Sequence, residues 1–358
     1  MIKILCVSPL KFDGTSFYRA WGTFKDLGEK IDLEVTDYGQ KPGGWSWPDL
    51  CSHDVLFLQR PGTSEHLKLC QYCKDLGLKI WTDYDDNFFI LPTENRMYDA
   101  VEEESKKRMA KIIQLSDVIT VSTEALKEFM VGTGGRYVEV VPNALNTTLF
   151  EPVKRFNHKR PQIPPNPTKQ VYVWRGSDTH WMDVFDYIGP ITNAMEARAD
   201  VDWVYMGWRP SYLDRFGLPY TYLHPDDIFN YWRKLKSIRP ELMHVVLTAN
   251  QFNLHKSNIA WIEATAAGAV CVAPKFPEWE RPGVITYETL EEYQLILTMA
   301  GEVDYKQNWE ASMDYIQENL LLSKVNRQRA ELLVKLVANY HFENMATVKL
   351  PIPQTMIE

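Results

Sequence analysis

The stretch MHVVLTANQFNLHKSNIAWIEATAAGAVCVAP, residues 243–274, decides how this chain folds. Its first six residues, MHVVLT at 243–248, are apolar and β-branched and predict a buried strand. Residues 257–267 carry an Ala-rich helical pattern, and AVCVA at 269–273 is a second strand. Strand, helix and strand in so short a span require a crossover connection, which places the two strands parallel with the helix on one face. The small residues of ATAAGAVCVA let that helix approach its sheet closely.

The same alternation runs outward in both directions. Toward the N-terminus, strands are predicted at 2–7 (IKILCV), 31–37, 54–58 (DVLFL), 78–84 (LKIWTDY), 117–122 (DVITVS) and 138–141 (VEVV). Helical patterns near 17–28, 64–76 and 98–114 separate them. Near-continuous apolar strands joined by helices describe a parallel sheet covered on both faces. The segment EPVKRFNHKRPQIPPNPTK (151–169) holds five prolines and no apolar period, and it reads as a linker. Beyond it the alternation restarts with VYVWR at 171–175, a helix at 182–195, VDWVYM at 201–206 and a helix at 226–237. The expectation is an α/β chain of two Rossmann-like, doubly wound domains, 1–150 and 170–320, facing each other across a cleft. A helical C-terminal stretch from about 303 to 340, with Leu332, Leu333, Leu336, Val337 and Tyr340 on one side, and the tail VKLPIPQTMIE complete it. Residues 321–358 are expected to cross back toward the first domain.

Composition agrees with two globular cores: 358 residues, 45% hydrophobic and 24% charged. The net charge of −8 leaves no strongly basic domain, which weighs against non-specific nucleic-acid binding. Cys6, Cys51, Cys70, Cys73 and Cys271 make no even framework. The lone C-x-x-C at 70–73 falls in an amphipathic helix with no second ligand pair, so free thiols in a reducing compartment are expected rather than zinc. MIKILCVSPL is too short for a signal peptide or a span, and no other stretch reaches transmembrane length. A cytoplasmic protein is expected.

In open parallel sheets ligands bind beyond the carboxyl ends of the strands, so the polar residues that follow each strand are the candidates. After the first strand come Asp13, Gly14, Thr15 and Ser16, then Tyr18 and Arg19 at a helix start. This is an anion-binding geometry, and equally an ordinary turn with Ser16 as N-cap. After 78–84 come Asp83, Asp85 and Asp86, which suit a metal, the orientation of a hydroxyl, or a helix cap. Arg175, Gly176, Ser177 and His180 follow 171–175 and make a diphosphate cradle at a helix N-terminus. In the opening stretch, Lys256 and Ser257 stand at a helix start, and Glu263 two turns on can accept from two ribose hydroxyls.

Together these segments resemble the glycosyltransferase group 1 family (family 4-like), with the GT-B fold. FNLHKSNIAWIEATAAGAVCVAP is similar to that family's donor helix and following strand. VEVVPNALNTTLF resembles its "IPNGVD…F" segment, and LSDVITVSTEAL the strand and helix before it. WRGSDTHWMDV, VLFLQRP and WTDYDDNFFILP resemble a bacterial and phage subgroup. The resemblance implies a nucleotide-sugar donor on the second domain, an acceptor mainly on the first, and metal-independent transfer with retained configuration. It implies a ribose contact for Glu263 and diphosphate contacts for Arg175 and Lys256, with His180 where a second basic residue often stands. His255 stands where the family has the first Glu of E-x7-E, a departure at the donor sugar.

The expected function is transfer of a sugar from a nucleotide-sugar to a hydroxyl of a glycan or small molecule, without a cofactor or metal. Its host is a bacterial or phage-infected cell. Catalytic candidates are Asp85, Asp86, Arg175 and Lys256; donor candidates are Gly14, Ser16, Arg19, Arg175, Gly176, Ser177, His180, His255, Lys256, Ser257 and Glu263. Two alternatives stand beside it. One is a phage-type enzyme glycosylating a hydroxymethylated DNA base, for which Trp45, Trp47, ESKKRMAK and YWRKLKSIRP supply stacking and charge. The other is a non-catalytic sugar-nucleotide binding or scaffold protein, for which His255 is the specific support.

Overall fold

The computed structural model describes residues 1–9, 12–28, 31–37, 47–148, 150–152, 169–299 and 304–338. Trp45, most of the proline-rich linker, Tyr340 and the tail 341–358 lie outside them, as does the side chain of Trp47.

Two six-stranded parallel sheets form. The first takes β1 (Ile2–Ser8), β2 (Ile31–Asp37), β3 (Val55–Gln59), β4 (Lys79–Tyr84), β5 (Val118–Val121) and β6 (Val138–Val140) in the order β2-β1-β3-β4-β5-β6. The second takes β7 (Gln170–Gly176), β8 (Val201–Gly207), β9 (Thr221–Leu223), β10 (Leu242–His244), β11 (Val270–Pro274) and β12 (Ile285–Tyr287) in the order β12-β11-β10-β7-β8-β9. Central strands are buried on both faces: Ile4, Leu5, Cys6 and Val55–Leu58 in one sheet, Val171–Val173 and Val270–Ala273 in the other. That double burial is why they read as unbroken apolar runs. The edge strands β9 and β12 have half-buried residues and show no such run in the sequence.

Strand order reverses between β1 and β3 in the first sheet and between β7 and β10 in the second. Ligands bind at such switch points, where adjacent loops leave in opposite directions and open a crevice.

Several helices are interrupted where one was expected. The pattern near 17–28 divides into Gly14–Arg19 and Trp21–Lys25 at Ala20, and 182–195 into Trp181–Asp186 and Ile188–Ala197. Pro190, which has no N–H to give, sits in the first turn of the latter helix, where none is needed. The strand expected at 243–248 is regular only through His244.

The domains are joined by two features. Phe17 and Tyr18, on the first domain's first helix, belong to the second domain's core. Phe17 meets Phe150 at 5.1 Å, and Phe150 stacks on Trp232 at 4.7 Å. Buried aromatic pairs of this kind contribute about 0.5–1.5 kcal/mol each beyond area burial. The chain also returns: helix Tyr305–Asn319 packs on the second domain, where Ser312 accepts from Trp261 Nε1 at 3.0 Å. Leu320 and Leu322 then bracket Leu145 in a backbone bridge. Helix Leu322–Val337 buries Leu322, Val325, Leu332, Leu333 and Leu336 in the first domain's core.

Candidate functional site

The two switch points face one another across a cleft of about 1050 Å³. From the first domain it is lined by Gly14, Tyr18, Arg19, Arg60, Asp85, Asp86 and Asn143. From the second it is lined by Arg175, Gly176, Ser177, His180, Lys256, Ser257, Tyr231 and Glu263. Ser16 and His255 are not among the lining residues.

Arg175, next to last in β7, reaches Glu263, with Nη2 2.7 Å from Oε2. The contact is an ion pair without an aligned hydrogen bond, so the buried Nε and Nη2 donors make none. Glu263, 3% exposed on helix Ile259–Ala266, also accepts from Tyr18 Oη at 2.9 Å and from Tyr231 Oη at 2.8 Å. Burial and the Glu263 charge push both tyrosines well above their ordinary range.

Beside this group, Gly176 and Gly207 end β7 and β8 in register. Gly207 has φ +95°, and a Cβ there would stand 2.3 Å from the Gly176 carbonyl. The approach lets Trp208 N–H donate to that carbonyl at 2.8 Å. Ser177 is exposed and bonds Thr179 at 2.6 Å. His180 turns Nδ1 to Asp183 at 2.9 Å.

The opposite wall is an alternation of charges. Arg60 reaches Asp85 through Nε and again through Nη2 at 2.7 Å, and its Nη2 reaches Asp86 at 3.0 Å. The other Asp86 oxygen takes Lys256 Nζ from the second domain at 2.9 Å. Burial raises Asp85 in spite of Arg60, with Asp86 adding to the rise. Burial also acts on Asp86, but the cations Lys256 and Arg60 outweigh it and hold its carboxyl down at about 2. Neighbouring carboxylates pushed apart in this way have different protonation tasks open to them. Arg60 itself sits at φ +50° before Pro61, a conformation costly for a side chain of this size and tolerated where surroundings over-determine it.

Three sequence candidates have their polar groups engaged by the protein itself. Arg19 is 1% exposed; its Nε and Nη2 grip Asp83 at 3.0 and 2.7 Å, and its Nη1 donates to the Val141 carbonyl at 2.6 Å. It braces the first domain, and its charge is already neutralised. Ser16 is fully buried, and Asp13 rather than Ser16 is the N-cap, accepting Ser16 N–H at 2.6 Å. His255 closes the short helix Gln251–Leu254; its Nδ1–H donates back to Gln251 at 2.6 Å, and its ring meets Phe129 edge-on at 5.9 Å. It packs at the domain junction, where its carbonyl also accepts from Thr123 at 3.1 Å. Chain reversal sends its side chain away from the cleft and that of Lys256 into it.

Gly14 lies at the cleft edge, where an added Cβ would make only an ordinary 3.7 Å contact with Ile228. Ser257 accepts from Asn143 Nδ2 at 2.9 Å, a further bridge between domains. Asn143, Arg60 and Tyr231 are the cleft residues that sequence reasoning passed over. All three lie within quoted segments, Arg60 in VLFLQRP, Asn143 in VEVVPNALNTTLF and Tyr231 at the start of YWRKLKSIRP, without having been singled out.

Among the described residues no group of three His, Cys, Asp or Glu side chains converges as a metal set, and no helix is long and apolar enough to cross a membrane.

Two doubly wound domains with facing switch points are the GT-B fold. Solved structures with this fold superpose over nearly the whole chain. Anabaena HepE, solved with UDP and glucose, matches with a TM-score of 0.67 at 16% identity, covering 94% of this chain and all of its own. Sucrose-phosphate synthase from Thermosynechococcus elongatus matches at 0.68 and 12% identity, with the same coverage. A putative UDP-N-acetylglucosamine 2-epimerase from Listeria monocytogenes matches at 0.55 and 14% identity, covering 93% of this chain and 96% of its own. No protein-family model and no curated protein matches the sequence.

Proposed function

We propose that this protein is a nucleotide-sugar-dependent glycosyltransferase, metal-independent and retaining, with the donor seated on the second domain. The observation that carries this reading is the convergence of Arg175, His180 and Lys256 on one wall of the cleft, where the Nε and Nη2 donors of Arg175 make no hydrogen bond. Cationic side chains gathered in a partly desolvated crevice suit a diphosphate.

As the bond from the sugar to the diphosphate breaks, its electron pair passes to a phosphate oxygen, and negative charge grows there. Arg175, Lys256 and His180 meet that charge, supplying electrostatically what a divalent ion supplies elsewhere. The acceptor oxygen bonds to the anomeric carbon on the face the diphosphate leaves, and its proton passes to the departing phosphate, so no separate base is needed. Asp85, with its raised pKa, stands on the acceptor side and orients the incoming hydroxyl. Asp83, Asp85 and Asp86 each face an arginine or lysine, an arrangement that disfavours a carboxylate metal site. Lys106 and Lys107 of the basic segment ESKKRMAK pair with Glu103 and Glu104 on their own helix, which gives a DNA acceptor no support.

The test is a binding and turnover screen with UDP-, GDP-, ADP- and dTDP-sugars, comparing wild type with Arg175→Ala. Glu263→Ala is a poor probe, because Glu263 also ties the domains together. One donor should bind, raising the melting temperature through about 2.7 kcal/mol at a hundredfold excess over its Kd, and R175A should lose the shift. Release of nucleoside diphosphate marks transfer or hydrolysis. A 2-epimerised donor with none released would place the protein with epimerases of the same fold, and no binding by any donor would leave a scaffold.

A further inference from the structure

Behind the cleft wall lies a carboxylate that the reading above does not use. Asp183, on helix Trp181–Asp186, is 7% exposed. Its Oδ1 accepts from the Thr248 backbone N–H at 2.9 Å and from Asn253 Nδ2 at 2.8 Å, and its Oδ2 lies 2.9 Å from His180 Nδ1. Two of these partners are obligate donors and both fall on Oδ1, which leaves Oδ2 to take the Nδ1 hydrogen of His180. The carboxylate is anchored from two segments, so it cannot follow the imidazole; the imidazole must follow it. Nε2, on the far side of the ring, is the atom left for whatever occupies the cleft.

We propose that Asp183 is the positioning residue of this site: it holds a hydrogen of His180 on Nδ1 and stabilises the imidazolium, whose Nε2–H donates to the anionic diphosphate of the donor. The proposal rests on the donor reading above and adds a property to it. A lysine here would be charged throughout the neutral range, whereas an imidazole is charged only below its titration. Donor affinity therefore falls as pH rises through that titration.

The other charged groups around the ring each have a counter-partner. Asp86 across the cleft is held by Lys256 and Arg60, Asp178 in the same turn by Arg96, and Arg175 by Glu263. Asp186, one turn on, accepts from Thr248 Oγ1 at 2.8 Å.

The experiment is equilibrium binding of UDP-, GDP-, ADP- and dTDP-glucose to the full chain from about pH 5.5 to 8.5. Intact sugar nucleotides are used because a terminal phosphate titrates near pH 6 and would confuse the profile. Affinity for the donor that binds should fall about tenfold or more across the range, because the charge-assisted bond is lost and the neutral ring, with its hydrogen on Nδ1, has no Nε2–H to offer. His180→Lys should flatten the profile at the tight end and His180→Gln at the weak end. Asp183→Asn, which offers an N–H to Nδ1, puts the neutral ring's hydrogen on Nε2 and should flatten the profile at an intermediate affinity. If Asp183→Asn does not fold, the two His180 variants still decide. A wild-type profile that is flat for a bound donor overturns the proposal and leaves the donor reading intact. Failure of all four donors at every pH overturns both.

Discussion

The hydroxyl of Tyr18 donates to Oε1 of Glu263 at 2.9 Å, joining a helix of the first domain to the central helix of the second. The same hydroxyl accepts from Trp232 Nε1 at 3.1 Å. One buried group thus satisfies two others contributed by the opposite domain. Glu263, expected from the resemblance to meet a ribose, here also secures the closed relation of the two domains. A donor ribose would have to share the carboxylate with two tyrosines and Arg175.

Tyr18→Phe leaves the ring packed and removes only the oxygen. Trp232 Nε1 then lacks an acceptor, and Glu263 loses a donor. Equilibrium urea unfolding should show a loss of about 1–3 kcal/mol, the cost of unpaired buried polar groups. A change within error would mean that water replaces the hydroxyl.

Lys256 is held by Asp86 and lies 4.5 Å above the ring of Phe252. Lys256→Met keeps the stem and removes the charge. Calorimetric titration with the donor identified in the screen should show at least about tenfold weaker binding. Asp86→Asn, which releases Lys256 from its partner, should leave binding equal or tighter. Weaker binding in both variants would make the pair a structural clasp rather than a phosphate ligand.

Glu278 is an acid–base prediction outside the cleft. Burial raises its carboxyl to about 7 in spite of Arg281, with Glu124 of the first domain adding to the rise. The folded value lies above the unfolded one, so the stabilisation is fully present below about pH 4.5 and is lost as pH climbs through about 7. Unfolding free energy should fall by roughly 2 kcal/mol over that window, and Glu278→Gln should remove this part of the slope.

Gly207→Ala tests the approach of β7 and β8. The new Cβ would stand 2.3 Å from a backbone oxygen at a positive φ, and neither strand can yield without breaking its pairing. A cost of about 2–3 kcal/mol or more is expected in urea unfolding, together with weaker donor binding, since Arg175 and Gly176 share that strand end.

What the sequence determined by itself was the architecture. Doubly buried strands such as Ile4–Val7 and Val270–Ala273 must be apolar throughout, and the helices between them carry a separate period, so both are visible without tertiary information. The residues following those strands were visible for the same reason: Arg175, His180, Lys256 and Glu263 stand at positions that a parallel sheet aims toward one edge. The edge strands β9 and β12 were not, because a half-buried strand of three residues has no periodicity to show.

Only the tertiary structure decided how the charges are spent. Arg19 and Arg175 look alike in sequence, each at a glycine-containing turn near a strand end. One is gripped by buried Asp83 through two hydrogen bonds, while the other meets Glu263 as an ion pair in the cleft wall, with its Nε and Nη2 donors making no hydrogen bond. His255 and Lys256 are adjacent, yet a helix end turns one into the domain junction and the other toward Asp86. Tyr18 and Glu263 are separated by 245 positions. Such pairings depend on how two separately legible domains dock, and no local pattern of residues encodes the partner that a side chain meets across a cleft.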